Sequence, residues 1–203
     1  MGITARQFEE MQQRARGSRR PAAPVAQDSS PAKSKGSPQI ILGIDPSLRG
    51  TGYGVIRTAG QDCVALDHGT VGCPASWPRS RCLVLIASTL RDVIRKHQPT
   101  LAVVEGLFFA QNLKTALIMG EARGVSLCAA AEGGLDICEI APRKVKQAIV
   151  GYGAAQKLAV AKMVQRMLNL AEQPAPDAAD ALALALAYAH ANRNPVLNPP
   201  KWL

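Results

Sequence analysis

The chain has 203 residues, enough for one domain and a tail, and 47% of them are apolar, enough for a sizeable core. Its formal charge of +9, from 24 basic and 15 acidic residues, favours a nucleic acid or another anionic surface as partner. No apolar run approaches the roughly 18 residues of a membrane span. The five cysteines (Cys63, Cys73, Cys82, Cys128, Cys138) are never spaced C-x-x-C, and no serine stands in a G-x-S-x-G elbow, so zinc knuckles, disulfide frameworks and nucleophilic triads are disfavoured.

Residues 1–38 hold seven basic and three acidic side chains among many Pro, Ser and Ala, without an apolar period, and read as a disordered basic tail. Such a tail is either an arm on DNA phosphates or a solubilising extension. No apolar stretch follows the early charges as a secretory signal requires, and Arg6 departs from the myristoylation pattern, so a cytoplasmic protein is expected. The ordered domain is expected over 39–192, with 193–203 as a C-terminal tail.

Within the domain, IILGID is a short apolar run and predicts a buried strand ending at Asp45. TGYGVIRT, after a PSLRG turn, predicts its hairpin partner, and DCVALDHGTV a third strand. Residues 79–97 place apolar side chains at helical spacing and end in basic residues before Pro99. LAVVEG predicts another buried strand, residues 112–133 a long helix of small residues closed by Gly133 and Gly134, and LDICEI a fifth strand. Helices follow near 143–149, at 155–170 and at about 177–191. The expected class is α/β, a five-stranded mixed sheet flanked by helices.

Four carboxylates carry the chemistry. Asp45 and Glu105 each end an apolar strand; either alone is equally a turn residue, but two adjacent strands ending in acids define a cleft. Pro174 and Pro176 stop one helix and set up the next, which makes Asp177 a candidate N-cap. Asp180 shares a helix face with Asp177 and stands among Ala178, Ala179, Ala181 and Leu182, where packing favours an apolar residue. The alanines let this helix lie close to the sheet. Acids gathered in this way repel one another unless cations hold them, and two Mg²⁺ ions match their charge. Oxygen-only ligation suits Mg²⁺ or Mn²⁺ rather than zinc, and a metal pair serves phosphodiester hydrolysis on both the attacking and the leaving side. A metal-dependent DNA nuclease is expected.

At ILGIDPSLRGTGYGVI, VVEGLFFAQNLKTALIMGEARG, VKQAIVGYGAAQK and PDAADALALALAYAH the chain resembles the RuvC family of crossover junction endodeoxyribonucleases, within the RNase H-like superfamily. The four stretches cover about residues 40–191 in the family's order. The resemblance implies a homodimeric, Mg²⁺-dependent Holliday junction resolvase of DNA recombination and repair, working beside a RuvA and RuvB type branch-migration complex. It places the catalytic and metal-binding acids on Asp45, Glu105, Asp177 and Asp180, and supporting lysines on Lys146 and Lys157. DNA contact falls on these lysines, on Arg143 and Lys144, and on Phe108, the aromatic that stacks on an unpaired base.

From the residues alone, Phe108 and Phe109 serve equally as loop anchors, and Lys162 and Arg166 form a solvated face, with phosphate contact as the second reading. The chain departs from the family pattern at Ser47, Gly106 and Glu121. A catalytically silent junction-binding protein of the same fold is the alternative.

Overall fold

Strand β1, Ile40–Asp45, is apolar on both sides because it runs through the middle of a sheet covered on both faces. It pairs antiparallel with β2 (Gly50–Ala59), which pairs antiparallel with β3 (Asp62–Gly72). On its other side it pairs parallel with β4 (Leu101–Glu105), and β4 pairs parallel with β5 (Asp136–Ile140). This computed structural model describes residues 38–60, 62–106, 112–193 and 201–203. The tail expected over 1–38 therefore lies outside the described residues, apart from Pro38.

Successive residues on a strand face opposite sides, and that alternation divides the core in two. Leu42, Ile44 and Val104 meet α1 (Arg79–His97) and α2 (Leu113–Glu132). Ile41, Val103 and Ile140 meet the other cluster, formed with α3 (Pro142–Val150), α4 (Lys157–Met167) and α5 (Pro176–Arg193). The mixed sheet flanked by helices is the expected α/β class.

Helix α5 is buried almost all round from Ala181 to Ala189, because it is sandwiched between the sheet and helices α3 and α4. It sits so near the sheet that an ideal Cβ on Gly43 would lie 1.9 Å from the carbonyl oxygen of Ala181, and one on Gly52 the same distance from that of Asp177. The alanines of α5 account for half of this close approach. The glycines of β1 and β2 supply the other half.

Three boundaries differ from the sequence reading. A sixth strand, β6 (Lys201–Trp202), extends the five-stranded sheet by pairing antiparallel with β5 at its edge, inside the segment read as a C-terminal tail. Two residues are too few to show a period; Trp202 is held edge-on against Tyr188, with ring centroids 6.4 Å apart. Helix α4 is shorter than 155–170, since Asn169 takes a left-handed φ of 50° that ends it. Asp177 is not an N-cap: Pro176 is already the first residue of α5, which puts Asp177 inside the first turn. Among the described residues no helix is long and apolar enough to cross a membrane.

Candidate active site

Parallel pairing brings the first two acids together. Ile44 stands opposite Val104, so Asp45 and Glu105 follow side by side at the ends of β1 and β4. Both are odd-numbered on strands whose odd positions face α5, so both carboxylates emerge on that side. Because α5 rests on Gly43 and Gly52, its first turns deliver Asp180 and Asp177 to the same strand ends. Asp177 Oδ2 points to Gly50, 2.7 Å from where a Cβ would be, at the start of β2.

The electrostatics confirm how near these groups are. Burial first, then the negative charges of Glu105 and Asp180, push Asp45 from the ordinary aspartate value of 3.8 up to about 8, with Lys157 pulling the other way. Asp45 and Glu105 lie within hydrogen-bonding reach of each other, which raises Asp45 further and lowers Glu105. Burial also raises Glu105; the bond from Asp45 opposes this, Asp180 adds to it, and Lys157 and Lys146 lower it. Lys157, from the first turn of α4, donates through Nζ to Asp180 Oδ2 at 2.8 Å. Its hydrogen bond to Asp180 holds the ammonium above its usual range.

The structure thus brings together Asp45, Glu105, Asp180, Lys157 and Lys146. Asp177 sits at Gly50, at the start of β2. Arg143 and Lys144 are exposed in the first turn of α3, Arg143 lying along Gly153. Lys162 and Arg166 are exposed on α4. Phe108 and Phe109 lie outside the described residues.

The donors fit a hard divalent cation. They are carboxylate oxygens, and although burial is the first cause of the upward push on Asp45, the charges of Glu105 and Asp180 add to it and a cation would relieve that part. Among the described residues no three acid, histidine or cysteine side chains already close around one point. Lys157 holds Asp180, and Asp45 lies within hydrogen-bonding reach of Glu105. A cation held by these oxygens would compete with Lys157 for Asp180 and favour the charged form of Asp45.

Sequence reasoning missed two residues at this end of the sheet, Arg123 and Glu139. Arg123, on α2, is buried and bonds both the backbone carbonyl of Glu105 and the Glu139 carboxylate. The signal was present: LDICEI places an acid one residue before its strand ends, and Arg123 interrupts a run of small helical residues.

The profile of the crossover junction endodeoxyribonuclease RuvC family matches residues 41–188. The chain belongs to the RuvC family. The RuvC of Ruminiclostridium cellulolyticum is 46% identical over 145 residues, 71% of this chain and 87% of that protein. The Heliobacterium modesticaldum RuvC is 48% identical over 145 residues, 71% of this chain and 90% of its own length. Among solved structures, Thermus thermophilus RuvC in complex with a Holliday junction substrate superposes with a TM-score of 0.74 at 34% identity, covering 81% of this chain and 99% of that one. The RNase H-like arrangement expected of a RuvC chain is the one found here, with β6 added at the edge.

Proposed function

We propose that this chain is a Holliday junction resolvase: a Mg²⁺-dependent endodeoxyribonuclease that makes symmetric paired nicks in four-way DNA junctions during recombination and repair. The observation that carries the reading is the meeting of Asp45, Glu105 and Asp180 on one face of the sheet, with Lys157 and Lys146 beside them. That a Thermus thermophilus relative is known in complex with a Holliday junction substrate supports the same substrate here.

In this reading Asp45, Glu105, Asp177 and Asp180 hold two Mg²⁺ ions, with Mn²⁺ as a substitute. Bound metal supplies positive charge that polarises the scissile phosphate and eases deprotonation of the attacking water. The carboxylates fix where that charge sits, at the ends of β1 and β4. Lys157 and Lys146 place ammonium groups against the phosphate oxygens as negative charge grows on them. In-line attack by water on phosphorus breaks the bond to the 3′ oxygen, leaving a 5′-phosphate and a 3′-hydroxyl. Arg143 and Lys144, exposed at the start of α3, contact backbone phosphates, and Phe108 stacks on an unpaired base at the junction centre.

Two nicks placed symmetrically on a two-fold substrate call for a homodimer. Helix α2 supports this with its small residues and with Leu113 and Leu117, which are 77% and 59% exposed. Cytoplasmic location and cooperation with a RuvA and RuvB type branch-migration complex complete the proposal.

A synthetic mobile four-way junction, incubated beside a matched linear duplex with and without Mg²⁺, tests it. Paired nicks in the junction alone, dependent on metal, are expected. The Asp180→Asn variant should retain junction binding and lose at least about 100-fold in rate, the equivalent of several kcal/mol of charge stabilisation. Equal cutting of junction and duplex, or wild-type cutting by Asp180→Asn, contradicts the reading. Junction binding without cutting under Mg²⁺ or Mn²⁺ establishes the silent alternative.

A further inference from the structure

On the side of the sheet away from the carboxylates, β4 ends against a partly buried ion pair. Arg123, in the middle of α2, is only 8% exposed. Its guanidinium donates through Nη1 to the backbone carbonyl of Glu105 and through Nη2 to Oε2 of Glu139. Glu139 stands on β5 opposite Val104, and its other oxygen faces Lys201 Nζ of β6 at 3.4 Å. The amide that follows, Gly106, donates to the Ile140 carbonyl at 2.9 Å. An ideal Cβ on Gly106 would lie 3.3 Å from Glu139 Cγ, so the glycine lets Glu139 close over the chain at this point.

Stability is a weak reason for such a pair. Taking a guanidinium and a carboxylate out of water is expensive, and apolar packing of the same volume often serves the fold as well or better. Its placement is the stronger reason. A guanidinium is a planar fork that satisfies two acceptors at a fixed angle, which an ammonium cannot do. One acceptor here is anchored on β5. The other is the main chain of the residue whose carboxylate bonds Asp45 on the opposite face. At a reacting centre a shift of about 1 Å is enough to lose roughly 100-fold in rate.

We propose that Arg123, oriented by Glu139, is a positioning residue of the active site: it grips the main chain of Glu105 from behind the sheet and so fixes the aim of that carboxylate at the cation. The inference rests on the reading of Glu105 as a metal ligand. It also gives the departure at Gly106 a physical role, since a larger residue there would press on the clamp.

The test is Mn²⁺ binding to the DNA-free protein, followed by EPR titration beside single-turnover junction cleavage. The variants are Glu105→Gln, Arg123→Met and Arg123→Lys, each checked for a wild-type circular dichroism spectrum. Arg123→Met is expected to weaken Mn²⁺ binding about tenfold and to slow cleavage by about 10- to 100-fold, with Arg123→Lys recovering part of both. Mn²⁺ affinity within about twofold of wild type in folded Arg123→Met overturns the inference, even if cleavage falls. Should Arg123→Met fail to fold, Glu139→Gln decides, because it keeps the acceptor's shape and removes its charge. Weakening of at least about threefold supports the clamp, and unchanged affinity overturns it. Glu105→Gln separates the two readings. Wild-type Mn²⁺ binding by that variant removes Glu105 from the ligand set. Loss of binding there, with binding retained in Arg123→Met, removes only the positioning role.

Discussion

Asp67 and Asp45 lie on opposite faces of the same sheet and are treated in opposite ways. On the α1 side, Lys96 Nζ and His97 Nε2 each approach Asp67 Oδ2 to 2.8 Å. Burial pulls Asp67 upward, but these two partners outweigh it and hold the carboxyl below its usual 3.8. On the α5 side, burial and the charges of Glu105 and Asp180 push Asp45 up to about 8. The first arrangement is complete as it stands. The second crowds three carboxylates, with burial and like charge keeping Asp45 from ionising, a strain that the proposed cation would relieve.

Separating α5 from the sheet should have the largest effect. Gly43→Ala puts a methyl group where the Ala181 carbonyl already is, and is expected to destabilise the fold by about 3 kcal/mol or more in urea unfolding. A wild-type midpoint would mean that the acid-bearing helix does not rest on β1 as described.

The next effect is in the pH dependence of metal-free protein, where the two acids should have opposite signs. For Asp45 the folded value is raised, so the stability tied to its protonated form is complete below 3.8 and is lost as the pH rises through about 8. The Asp45→Asn variant is therefore expected to gain in melting temperature over wild type as the pH climbs across that window in EDTA. A constant difference between the two proteins would show that Asp45 is not under this strain. For Asp67 the folded value is lowered, so its contribution is present above the unfolded value of 3.8 and disappears as the pH falls through the folded one. Asp67→Asn should melt roughly 2–4 °C below wild type near neutral pH, and the gap should close on acidification. A gap that persists in acid would place the effect in packing rather than in charge.

Much of this was legible in the sequence, and the exceptions share a cause. Strands that end in acids and a helix with aspartates among alanines are local patterns, and they led to Asp45, Glu105 and Asp180 directly. Three features instead depend on what another element brings near. Gly43 and Gly52 look like ordinary small strand residues until α5 is laid across them. Arg123 reads as one more basic residue on a helix until α2 is packed against the end of β4. Strand β6, two residues long, has no pattern of its own and forms because β5 offers it an edge.

In the proposed site, Asp45, Glu105 and Asp180, distant in sequence, jointly hold a divalent cation at the ends of β1 and β4. Anomalous diffraction from crystals soaked in Mn²⁺ tests it most directly. A peak is expected at ligand distance, about 2.1 Å, from carboxylate oxygens of Asp45 and at least one of Glu105 and Asp180. Manganese absent from those oxygens, at a concentration that supports junction cleavage in solution, would contradict it.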